Sequence, residues 1–373
     1  MIGYVAKDMG ACTYYRIALP LNTVRKYSGN VRSYIPGDSL SALTKTIESH
    51  VIAFSRPVSP EFQQIINNMK DSDKRIVIDY DDNIFRVSPM NPSYEDTGIN
   101  EVFIKHKGEM MPMWLDESKR DKYKDSQLKP SFIDIERNKR TLETAIDMLS
   151  QVDLVTCTQP ILADFFRQYS FNVAVLPNCV DVNLWQKLPL KEHSETRLYW
   201  SGGASHYEDW CILSDIIPKV MEKYDNVKLI IMGQKFDGTL KKIPPEKIEF
   251  HPWVATPAYP LKTAILDPDI CLIPLQDNEF NQCKSPIKWI EMGALGVPCV
   301  TSNVSPYKEV ATEENGIYIE DNDKDAWLEG ISMLVEDLEL RKSIATAAKD
   351  TVYENFDINK KWVLWKEAYE ALI

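Results

Sequence analysis

The sequence predicts an α/β protein with two domains, each built on a parallel sheet that carries helices on both faces. Short apolar runs typical of buried strands alternate with helix-forming stretches from the N-terminus onward. The second half of the chain repeats this layout, and 373 residues are too many for one compact core. We therefore expect one domain over residues 1–190, a second over 191–355, and a C-terminal helix over 356–373.

The composition indicates a soluble globular protein, with 44% hydrophobic and 26% charged residues. No apolar run approaches the roughly 20 residues that cross a bilayer, so we expect a cytoplasmic protein, in the host cytoplasm if a virus encodes it. The net charge of −12 disfavours nucleic acid as a partner, although residues 1–75 carry ten Lys or Arg against six Asp or Glu. Seven cysteines without a CxxC pair predict reduced thiols. No metal site or tightly bound cofactor is expected.

The first domain follows a strand and helix alternation that is interrupted once. Strands are predicted over 2–6, 31–35, 51–54, the segment RIVIDY, 154–157 and 173–176, with helices to about residue 27 and over 61–69, 133–149 and 160–169. Residues 87–131 have no clear period, which predicts an irregular insertion that forms a flap over the acceptor side. The final stretch FDINKKWVLWKEAYEALI is amphipathic and is expected to pack back on the first domain.

The loop after the first strand is a candidate site on the acceptor side. Gly10 permits close approach of a ligand to the backbone, and Ala11 opens the helix that follows. Arg16 lies one turn into this helix, where it either points into the cleft as a catalytic residue or pairs with a surface acid. Both readings of Arg16 stay open at this point.

Three carboxylates follow the strand RIVIDY and form a second candidate on the same side. Asp79, Asp81 and Asp82 lie where ligands collect in open parallel sheets, beyond the carboxyl ends of the strands. Two or three acidic oxygens are a weak metal signal, because acidic residues are also common in turns. We expect structural or acceptor-facing roles, with Asp79, Asp81 or Asp82 as the candidate for a general base.

A small-residue loop opens the second domain. The predicted strand 197–200 runs into SGGASHYEDW, where the backbone N–H groups of Ser201, Gly202 and Gly203 could hold a phosphate. A tight turn explains two adjacent glycines equally well. His206 lies near this loop, and such a histidine is more often a turn-stabilising partner than a catalyst.

Two further residues are expected at the ends of successive strands of the second sheet. Gly233 ends the apolar strand VKLIIMG, and Trp253 ends IEFHPWV. An aromatic residue there can stack on a nucleobase, although a tryptophan of the core fits the pattern as well.

The segment NQCKSPIKWIEMGALGVPCVTSN, residues 281–303, carries the clearest functional pattern. A turn with Lys284, Ser285 and Pro286 leads into a helix that starts near Ile287. Free N–H groups and the positive dipole end at a helix start attract phosphate, and Lys284 adds a full charge. Lys288 and Glu291 follow on the same helix, so an ammonium and a carboxylate could reach one elongated ligand, such as a diphosphate-linked sugar.

The two-domain layout, the Gly-Gly loop and the segment from Lys284 to Pro298 together resemble the GT-B glycosyltransferases. Within them the chain is most similar to the glycosyl transferases group 1 set, glycosyltransferase family 4, over nearly its whole length. The resemblance implies two Rossmann-like domains facing across a cleft. It also implies that Glu291 holds the donor ribose, while Lys284 and the Gly202-Gly203 loop hold the diphosphate.

The chain departs from the family pattern in two places. Cys283 stands where the common Glu-x7-Glu pair has its first glutamate, and Glu279 lies four residues earlier. The usual Arg and Lys after the Gly-rich loop are absent, and Ser205 and His206 occupy that region.

The resemblance implies an enzyme that moves a sugar from a UDP- or GDP-linked donor to an acceptor hydroxyl, with retention. The acceptor is a polysaccharide, a lipid or a small molecule. A transferase for modified bases of viral DNA, a nucleotide-sugar epimerase and a non-catalytic sugar-nucleotide-binding subunit are the alternatives. The oligomeric state is left open.

Overall fold

The computed structural model describes residues 2–5, 10–29, 31–32, 49–69, 72–124, 126–190 and 193–373. The described strands, in chain order, are β1 (Ile2–Val5), β2 (Val31–Arg32), β3 (Val51–Ser55), β4 (Arg75–Tyr80), β5 (Val102–His106), β6 (Glu109–Asp116), β7 (Ser131–Ile133), β8 (Leu154–Cys157), β9 (Val173–Val175), β10 (Thr196–Gly202), β11 (Val227–Gly233), β12 (Ile248–His251), β13 (Ile270–Ile273), β14 (Cys299–Ser302) and β15 (Ile317–Ile319). Ala6 and residues 33–35, which two of the predicted strands include, lie outside the described residues.

The helices connect these strands in the predicted alternation. They are α1 (Ala11–Thr13), α2 (Leu19–Ser28), α3 (Pro60–Met69), α4 (Tyr94–Thr97), α5 (Ile135–Leu149), α6 (Pro160–Phe166), α7 (Tyr207–Leu213), α8 (Ile216–Lys223), α9 (Asp237–Leu240), α10 (Tyr259–Leu266), α11 (Glu279–Gln282), α12 (Ile287–Leu295), α13 (Lys324–Glu336), α14 (Leu338–Asn355) and α15 (Ile358–Glu370). A π-helical stretch, Tyr14–Ala18, joins α1 to α2 and interrupts the regular hydrogen-bond ladder.

Two six-stranded parallel sheets form the centres of the two domains, which confirms the predicted fold class. The first sheet has the strand order β2-β1-β3-β4-β8-β9, and the second has the order β12-β11-β10-β13-β14-β15. Every residue of β3 and β14 is buried, as expected for strands covered by helices on both faces. Because all strands of a sheet run in one direction, the loops at their carboxyl ends gather along one edge of each domain.

The insertion over residues 87–131 is more ordered than the sequence predicts. Together with the residues up to Ile133 it forms a small sheet, in which β5 and β6 are an antiparallel hairpin and β7 pairs parallel with β6. Lys107 and Gly108 have positive φ angles of 49° and 90°, the backbone of a tight hairpin turn. Only Trp114 and Leu115 of the hairpin strands are buried, so these strands lack the regular alternation of buried and exposed residues on which strand prediction depends. The prediction of an irregular segment is wrong in this respect.

The C-terminal helix α15 packs against the first domain, as the sequence predicts. Trp365 and Tyr369 are fully buried and share a core with Ile2, Tyr4 and Leu21. The end of the chain thereby covers one face of the first sheet. All seven cysteines are free, and five of them are buried. None of the described helices is long and apolar enough to cross a membrane.

Candidate active site

A cavity of about 580 Å³ lies between the two domains, and loops from both sheets line it. The first domain contributes residues that follow β1, β3, β4 and β9, and the second contributes residues that follow β10, β12, β13 and β14. Such loops supply ligand contacts because the strands beneath them are rigid. The cavity contains most of the predicted site residues, namely Ala11, Asp81, Asp82, Ser201, Gly202, Gly203, His206, Trp253, Lys284, Ser285, Ile287, Lys288 and Glu291.

The start of α12 gives one wall of the cavity a positive charge. Pro286 is buried and caps the helix, so the preceding turn presents Lys284 and Ser285 to the cavity. Lys284 Nζ lies 4.9 Å from the centre of the Phe280 ring, and Lys288 Nζ lies 5.9 Å from a ring centre of Trp200. Burial and the neighbouring Lys284 charge lower the pKa of Lys288 to about 8. An anion in the cavity would relieve this repulsion.

The Gly-Gly loop faces the same wall. A Cβ atom on Gly202 would lie 2.6 Å from the Trp200 ring, so protein packing explains this glycine. A Cβ atom on Gly203 would meet no protein atom within 4 Å, although its backbone conformation suits other residues. Gly203 therefore leaves open space inside the cavity that a side chain would reduce.

His206 stands between the loop and the lysines as a neutral group. Its Nδ1 lies 2.9 Å from Oδ2 of Asp209, whose other oxygen accepts hydrogen bonds from the Gln276 N–H and the Asn281 amide. Burial and the charges of Lys288 and Lys284 lower the pKa of His206 to about 3. The ring is therefore uncharged at neutral pH, and its partner Asp209 is fixed by three hydrogen bonds.

Glu291 bridges the two domains. The Tyr15 hydroxyl, from the π-helical stretch of the first domain, donates to Oε1 of Glu291 over 2.6 Å. Burial raises the pKa of Glu291 to about 7, against the lowering effect of the Tyr15 hydrogen bond and the Lys288 charge. The predicted ribose-binding carboxylate is thus already in contact with the opposite domain.

Trp253 lies at the rim of the cavity and is not a core residue. Its side chain is 50% exposed, and its ring lies 6.0 Å from that of Tyr259. Gly233 lies directly beneath it, because a Cβ atom at this glycine would approach the indole to 2.5 Å. The φ angle of Gly233 is 108°, which only glycine adopts readily. Gly233 does not line the cavity but allows the indole to approach the backbone closely.

Carboxylates mark the wall formed by the first domain. Asp81 is 7% exposed, and its Oδ1 lies 3.5 Å from Nε of Arg56. Burial and the neighbouring Asp81 raise the pKa of Asp82 to about 7, against the lowering effect of Lys284 and Arg56. Asn91 and Ser93 of the insertion line the cavity beside them. Among the residues that the structure describes, no group of three His, Cys, Asp or Glu side chains could hold a metal ion.

Three predicted acceptor-side residues do not line the cavity. Arg16 does not point into the cleft, because its guanidinium is 1% exposed and forms two hydrogen bonds with Asp79 at 3.0 and 2.7 Å. Thr156 also donates to Asp79 over 2.6 Å, so this carboxylate is fully occupied beneath the cavity. The Gly10 carbonyl accepts the Tyr14 N–H at the start of the first helix. The acid that pairs with Arg16 is therefore buried and not on the surface.

The two departures from the family pattern have visible consequences. Cys283 is buried and accepts a hydrogen bond from the Asn83 amide over 3.7 Å. Glu279 does not replace the missing glutamate, because it is exposed and pairs with Arg86 at 3.1 Å without lining the cavity. Lys284 and Lys288 supply positive charge on this side of the cavity, where Ser205 and His206 carry none.

Several cavity residues could not be found from the sequence. They include Tyr15, Arg56, Asn178 and Tyr259, which line the cavity from four separate segments. No local motif marks them, since each becomes recognisable only through a partner far away in the chain. Asn178 lies in the PNCVD stretch and contacts Ser285, while Arg56 has a positive φ angle of 44° directly after β3.

The whole chain is similar in fold to glycosyltransferases of known structure. The TM-score is 0.65 to the sucrose-phosphate synthase of Thermosynechococcus elongatus, at 13% identity over 100% of this chain and 99% of that one. It is 0.64 to Anabaena HepE, solved with UDP and glucose, at 13% identity over 99% of each chain. It is 0.64 to a glycosyltransferase of Rickettsia africae, at 11% identity over 100% and 97%. These likenesses define the GT-B fold.

The match to a family model concerns the second domain. Residues 195–337 match the model described as Glycosyl transferases group 1, which confirms the predicted resemblance. The class of enzyme is therefore a glycosyltransferase with a nucleotide-sugar donor, as predicted. No curated protein matches the sequence.

Proposed function

We propose that this chain transfers a sugar from a UDP- or GDP-linked donor to an acceptor hydroxyl, with retention of configuration. The observation that carries the proposal is the pair Lys284 and Lys288 at the start of α12, inside an interdomain cavity that also contains Glu291. In this arrangement the diphosphate lies against the helix start and the two ammonium groups. The ribose lies one helical turn further, at Glu291, and the base stacks on Trp253.

The chemical step needs stabilisation of the negative charge that develops on the leaving diphosphate. Lys284, Lys288 and the N–H groups at Ser285 and Ile287 supply it from one wall of the cavity. With retention, the leaving phosphate itself accepts the proton of the acceptor hydroxyl. Should the product be inverted, Asp81 or Asp82 is the base, because both line the opposite wall.

The acceptor hydroxyl is proposed to enter from the wall of Asp81, Asp82 and Arg56. The insertion supplies Asn91 to the same wall, and its Ser88 donates to Glu208 of the second domain over 2.8 Å. The insertion is therefore positioned to close the acceptor side once both substrates are bound.

The test combines donor binding with product analysis. The purified chain is screened for thermal stabilisation by UDP-glucose, UDP-N-acetylglucosamine and GDP-mannose, and transfer is followed by release of UDP or GDP with carbohydrate, lipid and small-molecule acceptors. NMR of the new linkage gives its anomeric configuration. Stabilisation by a donor together with a product of retained configuration supports the proposal, and absence of binding to every nucleotide sugar refutes it.

A second candidate function is a sugar-nucleotide-binding subunit without catalysis. The observation in its favour is Cys283, which stands where the family has a glutamate, while Glu279 lies outside the cavity. Tight binding of UDP or GDP without donor hydrolysis or transfer to any acceptor would favour this candidate.

A further inference from the structure

Asp79, Arg16 and Asn178 of the first domain form a hydrogen-bonded chain. It ends at Ser285, on the cavity wall against which the diphosphate is proposed to lie. Arg16 donates from Nη1 to Oδ1 of Asn178 over 3.0 Å, and Nδ2 of Asn178 donates to the Ser285 hydroxyl over 2.7 Å. Asp79 holds the other edge of the guanidinium, so Arg16 has one orientation. This buried network crosses from the first domain to the second.

The chemistry of these groups fixes the direction of every hydrogen bond in the chain. A guanidinium has only donors, so the oxygen of the Asn178 amide must face Arg16. The amide nitrogen then faces Ser285, and it has no lone pair to offer. Ser285 Oγ must accept this bond, which leaves its own hydrogen for another partner. Among the described residues, none accepts a hydrogen bond from that hydroxyl.

The Ser285 hydroxyl lies where an anion is expected. It lines the cavity between Lys284 and the start of α12, and its oxygen is occupied from behind by Asn178. A hydroxyl held in this way points its hydrogen away from Asn178. It is already oriented before an anion binds, whereas a free serine hydroxyl would lose rotational freedom on binding the anion.

We propose that Asn178 is a positioning residue that turns the Ser285 hydroxyl into a donor for the diphosphate of the bound nucleotide. Arg16 and Asp79 act behind Asn178 by fixing the orientation of its amide. The contact joins the two domains, so the hydroxyl is oriented only when the domains stand as close as they do here. This inference rests on the proposed function, because it assigns a further contact to the same donor site.

The test reverses the polarity of the chain with a substitution of the same shape. In Asn178→Asp, the new carboxylate pairs with Arg16 and accepts the Ser285 hydrogen, so the hydroxyl turns away from the cavity. Binding of UDP and GDP is compared with that of uridine and guanosine for Asn178→Asp, Ser285→Ala and the double variant. We expect each single variant to weaken the nucleoside diphosphate about tenfold to a hundredfold, and the phosphate-free nucleoside not at all.

The double variant distinguishes an effect of Asn178 through the Ser285 hydroxyl from an effect of the negative charge that Asn178→Asp adds. If Asn178 acts through Ser285, Asn178→Asp has little effect once Ser285 is alanine. If the charge alone acts, the effect of Asn178→Asp is the same in both backgrounds, which overturns the inference. Equal weakening of nucleoside and nucleoside diphosphate, as a purely structural role would give, overturns it as well.

A neutral variant covers the case in which Asn178→Asp does not fold. Asn178→Ala removes the amide, so the Ser285 hydroxyl loses its fixed direction. We expect Asn178→Ala to weaken nucleoside diphosphate binding less than Asn178→Asp does, and to have no effect in the Ser285→Ala background. A loss of affinity that persists in that background refutes an action of Asn178 through Ser285. If the unaltered protein binds neither UDP nor GDP, the proposed function fails and this inference fails with it. If the unaltered protein binds and the two positions are uncoupled, only this inference fails.

Discussion

Removal of the Lys284 charge tests the donor site most directly, because it changes both affinity and pH dependence. Lys288 is held below the ordinary pKa of a lysine by burial and by Lys284, at about 8. In Lys284→Met the burial remains but the repulsion disappears, so the pKa of Lys288 rises toward the ordinary value of about 10.4. The methionine side chain has a similar length, so it can still pack against the Phe280 ring, although the contact of the ammonium with that ring is lost.

Two effects of Lys284→Met are expected on the binding of UDP or GDP. At pH 7 the variant loses one charged contact to the diphosphate, which corresponds to about 1.5–3 kcal/mol, or roughly tenfold to a hundredfold in affinity. The unaltered protein loses the Lys288 charge above pH 8, so its affinity falls there by up to about tenfold per pH unit. In the variant this fall begins at a higher pH.

Calorimetric titration between about pH 7 and pH 10 measures both effects. The diphosphate keeps a constant charge over most of this range, because its own pKa is near 6. Lys342→Met, which removes an exposed lysine paired with Glu339, is the matched control and should change neither quantity. Near-normal affinity in Lys284→Met would refute the assignment of Lys284 to the diphosphate. An unchanged pH of onset would refute the electrostatic coupling of the two lysines.

Three further predictions concern the surroundings of the site. Tyr15→Phe removes the hydrogen bond that lowers the pKa of Glu291, so this pKa should rise above about 7. Nucleotide affinity at pH 7 should fall several-fold below that of the unaltered protein, and a titration series should show this difference disappearing near pH 9. Lys288→Met should raise the melting temperature most at or below pH 7 and progressively less toward pH 10. The reason is that burial of the charged Lys288 destabilises the folded chain, and this cost disappears as the ammonium loses its proton between its folded pKa of about 8 and its unfolded pKa of about 10.4. Trp365→Ala should lower the free energy of unfolding in urea by about 3–5 kcal/mol, because this fully buried ring joins α15 to the first sheet; a change below about 1 kcal/mol would contradict that role.

The cavity wall that contains Lys284 and Glu291 could be predicted from the sequence because its residues lie close together in the chain. Lys284, Ser285, Lys288 and Glu291 fall within one turn and one helix, so local geometry alone brings them to one wall. The Gly-Gly loop follows directly after β10, and the parallel sheet fixes where such a loop must lie. Periodicity and motif spacing are sufficient in both cases.

The acceptor side could be predicted only in part, because its contacts join distant segments. Asp81 and Asp82 follow β4 and reach the cavity, but Asp79 lies within β4, where its carboxylate is buried and bonds to Arg16. Two predicted site residues therefore bind each other. Tyr15 could not be found at all, since its partner Glu291 is 276 positions away and the π-helical stretch that orients it has no sequence signature.

Although the basic residues usual after the Gly-rich loop are absent, this side of the cavity still carries positive charge. Lys284 and Lys288 act electrostatically on His206, which occupies that region, and their charges help to keep its ring neutral. Positive charge at the loop itself would repel both lysines, so the neutral histidine and the two helix lysines form one consistent solution. Asp209 accepts a hydrogen bond from His206 and stays ionised despite its burial, because this hydrogen bond and the Lys284 charge lower its pKa. The positive charge on this side of the cavity therefore comes from Lys284 and Lys288 at the start of α12, where the helix dipole adds to it.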